Sequence, residues 1–167
     1  LARAQLLLAI RQLPEAEEAL QLAEKHEADQ AALSSLEGAL NMLKGNPQEA
    51  LASYRFAVDQ APQMADNWMN MLALTAKLDR PRLLEEAQRA LEVHPDNEEF
   101  IQLTVGALVE SGQTKEAFAL LADAIKRIPE SPLLHFQMGM GLAGAGKFDK
   151  AAEHFTKALG LRPRFPR

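Results

Sequence analysis

The sequence has 167 residues, of which 47% are hydrophobic and 25% are charged, a composition typical of globular rather than disordered chains. It contains no cysteine, which excludes disulfides, thiol catalysis and cysteine-ligated zinc. The formal net charge of −5 gives little attraction to a phosphate backbone, so we expect no nucleic acid partner. The longest stretch without Asp, Glu, Lys or Arg, residues 131–146, is too short to span a bilayer, and we expect no direct membrane insertion.

Prolines mark an internal repeat along the chain. Pro62, Pro95, Pro129 and Pro163 are separated by 33, 34 and 34 residues, and each follows a pair of an alanine and an apolar residue at the same distance. This spacing predicts a single array of repeats over residues 1–167, each repeat about 34 residues long. The predicted repeats are residues 1–30, which lack their opening positions, and then 31–64, 65–97, 98–131 and 132–165.

Each repeat is predicted to form two helices joined by a turn. Within residues 47–60 the small and apolar side chains recur at helical spacing. Gly45 suits the left-handed position after a helix, and the missing glycine near residues 78–81 predicts a tighter turn there. Asp96 and Glu99 have the spacing of a capping box at the start of the fourth repeat. Gly112 is the other glycine expected at the end of a helix. The prolines expected in first helical turns are Pro47, Pro81 and Pro132.

The repeat resembles the tetratricopeptide repeat, a helical hairpin with small residues where its helices touch, an aromatic residue on the second helix and a closing proline. The aromatic residue expected early in the first helix is present only in the third repeat, as Trp68. The resemblance implies an all-α fold, a right-handed helical-hairpin solenoid of about five tetratricopeptide-like repeats. The residues of the last repeat that match the pattern are Gly139, Leu142, Gly146, Phe148, Ala151, Phe155, Ala158 and Pro163.

Residues that could carry chemistry do not form a site in the sequence. Residues 139–144 satisfy the glycine pattern of dinucleotide-binding loops, but no strand precedes them and they lie inside a predicted helix. The four histidines lack ligand spacing and are expected at the surface, and no Ser–His–Asp set can be assembled. Charged side chains such as Arg55 and Glu86 are expected to face solvent. We therefore expect no catalytic, cofactor-binding or metal-binding residues, no cofactor and no enzymatic activity.

The resemblance implies a function as a protein-interaction scaffold. In tetratricopeptide arrays the first helices of successive repeats line a concave groove that binds an extended or helical peptide. The repeat register places methionines and a phenylalanine at groove positions, where they would form an adaptable apolar floor. The side-chain amides of Asn and Gln at other groove positions could hydrogen-bond the backbone of a partner. The expected groove residues are Ser35, Met42, Met69, Asn70, Ala73, Lys77, Glu99, Gln102, Gly106, Phe136, Gln137 and Met140, with Ala39, Val109, Glu110 and Ala143 at neighbouring positions.

Two alternatives stay open at this point. The chain could be the regulatory or targeting part of a larger enzyme or of an export or secretion protein, since it begins at Leu1 with an incomplete repeat. It could also self-assemble into homo-oligomers, because arrays usually need polar end repeats for solubility. Residues 147–167 carry a local charge of +4, from six basic and two acidic side chains. The expected partner is a protein or peptide segment in a larger bacterial assembly, and either the cytoplasm or the periplasm is compatible with the sequence.

Overall fold

A computed structural model describes residues 1–26 and 28–161 of the chain. Every regular element in these ranges is helical, which confirms the predicted all-α class. The helices are α1 (Ala2–Ala9), α2 (Leu13–Lys25), α3 (Gln30–Lys44), α4 (Pro47–Gln60), α5 (Ala65–Leu78), α6 (Leu83–Val93), α7 (Glu98–Glu110), α8 (Thr114–Arg127), α9 (Pro132–Gly144) and α10 (Phe148–Leu161), with a short 3-10 helix (Arg80–Arg82) between α5 and α6.

The chain divides into two compact units, Leu1–Glu86 and Ala87–Arg167, whose boundary falls inside α6. In the first unit, consecutive helices from α1 to α5 pack side by side, and α1 also contacts α3. Its N-terminal core consists of alanines and leucines, and Trp68 is the largest side chain that is almost fully buried. The residues of that N-terminal core are Ala4, Leu8, Ala16, Leu20, Leu33 and Leu40.

The second unit packs α7 against α8, α8 against α9 and α9 against α10, and α7 also contacts α9. The contact between α7 and α9 brings the first helices of two successive hairpins together, with α8 behind them. Its core is built from large aliphatic residues separated by alanines that allow close helix approach. These core residues are Ile101, Leu121, Ala124, Leu134, Met138, Leu142 and Ala151.

Three of the helices described are followed by a glycine in the left-handed conformation. The sequence predicts this conformation for two of these glycines, Gly45 and Gly112. Gly45, Gly112 and Gly146 have φ values of 81°, 75° and 73°, a left-handed region that favours a residue without Cβ. Pro47 and Pro132 occupy the first turn of α4 and α9, where the missing amide hydrogen has no helical partner to lose. The turn without glycine, between α5 and α6, is closed by the 3-10 helix instead.

The predicted capping box was assigned to the wrong residue. Asn97, not Asp96, caps α7, since its side-chain oxygen accepts hydrogen bonds from the amides of Glu99 and Phe100 at 3.0 and 3.1 Å. The Asp96 carboxylate instead accepts a hydrogen bond of 2.8 Å from the Nε of Arg127. The N-cap position thus falls one residue later than predicted, and Asp96 pairs with a cation on α8 instead.

Two charged residues expected in solvent pair with each other in the first unit. Glu86 is only 6% exposed, and its carboxylate accepts a hydrogen bond of 3.2 Å from the Arg55 Nε. The Arg55 Nη2 also donates to the Asp79 carboxylate at 2.9 Å. Arg55 on α4 thereby ties together α6 and the turn before it, which the helical spacing alone could not reveal.

Glycine allows close contact between the two helices of a hairpin in both units. A Cβ at Gly38 would lie 2.8 Å from the Tyr54 ring, and one at Gly139 would lie 2.6 Å from the Phe155 ring. The aromatic residue of the second helix thus lies on the bare backbone of the first, as the repeat pattern predicts. The closing Pro163 and the basic residues of 162–167 lie outside the described residues, and the predicted repeat boundaries remain predictions.

Candidate functional site

The second unit contains a pocket that is open to solvent, with a volume of about 610 Å³. Residues of α7 and α9 form its walls, residues of α8 form its floor, and it closes at the turn after α9. It therefore lies on the face where the first helices of two successive hairpins meet. The lining residues are Gln102, Val105, Gly106, Val109, Thr114, Ala117, Phe118, Leu121, Gln137, Met140, Gly141, Gly144 and Ala145.

The lining of this pocket is mostly apolar, with Gln102, Thr114 and Gln137 as its polar members, and carries no charged side chain. Met140 is 56% exposed and Val109 is 51% exposed, so large apolar surface faces solvent at its rim. The Gln137 side-chain oxygen is buried and has no hydrogen-bond donor among the described residues. A buried amide oxygen without a donor costs free energy, which a donor from a bound molecule would recover after the amide rotates.

The structure brings together four of the predicted groove residues. Gln102, Gly106, Gln137 and Met140 line the pocket, and the neighbouring position Val109 does so as well. Two further predicted residues of the second unit are exposed but lie outside the lining: Glu99 on α7, and Phe136, whose ring packs 5.7 Å from that of Phe155.

The remaining predicted groove residues belong to the first unit and lie outside this pocket. None of them is buried: Met42 is 43% exposed, and Ser35 and Met69 are half-buried. They lie on α3 and α5, the first helices of their hairpins. The exposed ones on α5 are Asn70, Ala73 and Lys77.

Sequence reasoning missed the floor of the pocket, which α8 supplies. Phe118 and Leu121 belong to a second helix of a hairpin, whereas the family pattern directed attention to first helices only. Ala117 and Thr114 complete this floor. The available signal was the spacing of three or four residues that links Thr114 to Ala117 and Phe118, and these two to Leu121, which places the four on one face of α8.

The glycine pattern at residues 139–144 has a packing explanation rather than a nucleotide-binding one. It lies inside α9, which begins at Pro132, so no helix N-terminus is available to a phosphate. Gly139 admits the Phe155 ring, and a Cβ at Gly141 would lie 3.1 Å from the Phe118 ring. A Cβ at Gly144 would meet nothing within 4 Å, and this residue lines the pocket.

The expectation that all histidines lie at the surface was wrong for His135, which is 2% exposed. Its Nε2 lies 3.1 Å from the carbonyl oxygen of Pro129, and a carbonyl can only accept, so Nε2 carries the proton. The Nδ1 of His135 lies 3.0 Å from the Nδ1 of His154, so one of these two nitrogens donates a hydrogen bond to the other. This pair joins α9 to α10.

The histidine pair makes the stability of the second unit depend on pH. Burial, and next the neighbouring His135, lower the pKa of His154 below its ordinary value of 6.5. The folded state therefore binds fewer protons than the unfolded state, and stability should fall as the pH drops below 6.5 and level off below the folded pKa. Urea unfolding at about pH 7.5 and about pH 5.5 measures this loss. His154→Gln, whose amide can still donate to His135, should show a smaller loss; an equal loss in both proteins would contradict this role of His154.

Other kinds of site find little support in the part of the chain that the structure describes. Within residues 1–26 and 28–161, no group of three or more His, Asp and Glu side chains is placed to hold a metal ion. None of the helices described is long and apolar enough to cross a membrane.

Comparison with protein families gives two matches that follow one another along the chain. The model of the bacterial transcriptional activator domain matches residues 9–130, more than half of the sequence. The model of the tetratricopeptide repeat matches residues 132–165, the last predicted repeat. No curated protein matches the sequence.

Solved structures similar to this one are tetratricopeptide-type proteins. A crystal structure of MamA superposes with a TM-score of 0.73 at 17% identity, covering 95% of this chain and 93% of that one. MamA 41-end from Desulfovibrio magneticus RS-1 gives 0.70 at 20% identity, covering 95% and 90%. YrrB, a tetratricopeptide protein with an unusual peptide-binding site, gives 0.69 at 22% identity, covering 96% and 83%. At these identities the likeness establishes the fold, a helical-hairpin solenoid of the tetratricopeptide type.

Proposed function

This chain belongs to the family of the bacterial transcriptional activator domain and has a tetratricopeptide-type fold, and from that premise we propose that it is a non-enzymatic scaffold that binds a protein segment. The observation that carries the proposal is the uncharged pocket between α7 and α9, floored by α8. The peptide-binding site of YrrB, a protein of the same fold, adds support.

The pocket has the size and chemistry of a site for apolar side chains. Its volume of about 610 Å³ falls in the range of roughly 300–1,000 Å³ that is usual for binding pockets. Burying one large aliphatic or aromatic side chain there would contribute about 1.5–3 kcal/mol. Met140 can change rotamer to fit different partners, while Gln102 and Gln137 supply amides for the partner's backbone.

The predicted groove residues of the first unit form a second part of this proposal. Met42, Met69 and Asn70 lie on the first helices of their hairpins and are at least partly exposed. We propose that they provide a separate contact surface for a protein segment. The predicted repeat boundaries, with one array of five repeats, are proposed on the same grounds.

Introducing a charge at the rim of the pocket should weaken binding. In Met140→Glu, a carboxylate would have to be desolvated beside the apolar lining, and the lost affinity should be about 2 kcal/mol, or about thirtyfold. Peptides selected from a displayed random library on the wild-type protein provide the probe, and their dissociation constants are measured by calorimetry. Met140 is 56% exposed, so the substitution should leave the helix content and Tm unchanged.

The matched control is Leu159→Glu, which places the same charge at an apolar residue of α10 that is 67% exposed and outside the pocket. Its affinity for the selected peptides should equal that of the wild-type protein. Equal affinity of Met140→Glu and wild type would remove the pocket as the binding site. Failure of the library to yield any binder to the wild-type protein would reject the scaffold function itself.

A second candidate concerns the setting in which the scaffold acts. The match of residues 9–130 to the bacterial transcriptional activator domain favours a role as the protein-binding part of a transcriptional regulator, over part of an enzyme or a secretion protein. Fused to an unrelated DNA-binding domain, the chain should then raise transcription from an adjacent bacterial promoter, and Met140→Glu should not. The absence of activation by the wild-type fusion would count against this role in transcription.

Self-assembly is a separate alternative. It predicts an oligomer in light scattering, and a strictly monomeric species would exclude it.

A further inference from the structure

One glycine of the pocket has no structural reason to be glycine. Gly106 lies in the middle of α7, where glycine weakens a helix relative to alanine. A Cβ built on Gly106 would meet nothing within 4 Å, and its φ is not in the left-handed region. Gly139, by contrast, is required by the Phe155 ring. The folded chain therefore accepts a weaker helix at Gly106 without gaining any contact.

The absence of a side chain at Gly106 leaves part of the pocket volume empty. Gly106 lines the α7 wall, and Gly144, where a Cβ would also meet nothing within 4 Å, lines the α9 side. Gly106 lies on the same face of α7 as the lining residues Gln102 and Val109, so a large side chain at position 106 would occupy part of the pocket. The bare backbone thus keeps open a volume that the protein's own side chains do not use.

The two helices that form the walls of the pocket together carry negative charge and no Lys or Arg. α7 carries three carboxylates and no cation, and α9 carries no Asp, Glu, Lys or Arg. Glu99 lies seven residues before Gly106, on the same face of the helix, and it is exposed. At the far end of α7, Lys115 follows Glu110 by five residues, whereas the start of α7 carries two carboxylates, Glu98 and Glu99.

We infer that the space above Gly106 receives one large apolar side chain, Leu, Met or an aromatic residue, from a partner segment that carries Lys or Arg beside this anchor. The inference rests on the proposed function and specifies the partner's chemistry. The apolar anchor fills the space that Gly106 keeps free, and the basic flank lies near Glu99, where a cation gains from the carboxylates of α7.

A substitution that fills the space at Gly106 with a side chain of the protein itself tests this inference. Gly106→Leu places an apolar side chain in the anchor's position, and it should weaken binding of the library-selected peptides about tenfold or more. Its Tm should be equal to or above that of the wild-type protein, because leucine is the better helix former and its Cβ meets nothing within 4 Å. Loss of binding together with an undiminished Tm would distinguish blockage of the pocket from misfolding.

Gly160→Leu is the matched control. Gly160 lies on α10 outside the pocket, and a Cβ there also meets nothing within 4 Å. The control should bind the selected peptides as the wild-type protein does. If Gly106→Leu also binds normally while Met140→Glu does not, the scaffold function holds and the anchor inference is overturned.

The peptides themselves provide the second readout. Those selected on the wild-type protein should share one large apolar residue with Lys or Arg beside it, and changing these cations to Glu should weaken binding several-fold. Selection of acidic peptides would overturn the inference. Binding of an apolar dye that peptides do not displace would also overturn it, since it would indicate a small-molecule site. A wild-type dimer that Gly106→Leu converts to a monomer would overturn it too, since the occupant would then be a second copy of the chain.

Discussion

Replacing Trp68 by alanine should lower the free energy of unfolding of the first unit by about 3–5 kcal/mol, the usual cost of removing a large buried aromatic side chain. Trp68 is 1% exposed, and it lies on α5 among residues that are themselves buried, such as Met71 and Leu72. Its indole Nε1 also donates a hydrogen bond of 2.7 Å to the carbonyl oxygen of Pro62. The alanine variant loses both the packing and this bond, and it leaves a cavity that the surrounding helices can only partly close.

Urea unfolding followed by circular dichroism measures this loss, because the chain has a single tryptophan and the variant has no indole fluorescence. Met64→Ala is the control, since Met64 immediately precedes α5 and is 52% exposed. Its effect should stay within about 0.5 kcal/mol. A loss below about 1 kcal/mol in Trp68→Ala would show that Trp68 is not part of a packed core.

The same substitution at two glycines of α9 should have opposite effects on stability. In Gly139→Ala the new Cβ would lie 2.6 Å from the Phe155 ring, so α9 and α10 must separate or the ring must move. Such overpacking costs about 1–3 kcal/mol. In Gly144→Ala the methyl group meets nothing within 4 Å, and the stability should rise by up to about 1 kcal/mol.

Thermal unfolding of both variants beside the wild-type protein checks this prediction. The Tm of Gly139→Ala should fall, and that of Gly144→Ala should stay equal or rise by a few degrees. A double variant that combines Gly139→Ala with Phe155→Leu should recover part of the loss, because the smaller side chain removes the collision. A stable Gly139→Ala protein would contradict the close contact between α9 and α10, and with it the packing explanation of the glycine pattern.

The sequence predicted those parts of the fold that local chemistry determines. Glycine in a left-handed turn and proline in a first helical turn follow from backbone geometry, so Gly45, Gly112 and Pro132 were placed correctly. The repeat length followed from the spacing of the prolines. The family resemblance then supplied the hairpin arrangement, which the matches to tetratricopeptide-type structures support.

Two of the errors involve partners that are distant in the sequence. His135 is buried because His154, on another helix, offers a hydrogen bond, and Glu86 is buried because Arg55 on α4 reaches it. The third error is local: the N-cap of α7 is Asn97, one residue after the predicted Asp96, whose carboxylate pairs with Arg127. Helical periodicity shows which face a side chain occupies, but it does not show which charge or ring approaches that face from the next hairpin.

The candidate site could be predicted in part for the same reason. Gly106 and Met140 fall at equivalent positions of two first helices, and Gln102 and Gln137 lie within one helical turn of them, so register placed all four on facing walls. The floor escaped prediction because its shape depends on how deeply α8 lies between α7 and α9. The free volume above Gly106 is likewise a property of packing, not of any single residue.

Methyl spectra of the methionines test the central claim, that the pocket of the second unit binds an apolar protein segment. The chain has six methionines, and labelling their methyl groups with carbon-13 gives signals in both units. Addition of a library-selected peptide should shift the Met140 signal most, while Met71, which is 0% exposed in the first unit, should not move. Shifts confined to Met42 and Met69, with Met140 unchanged, would contradict the claim and place binding on the first unit instead.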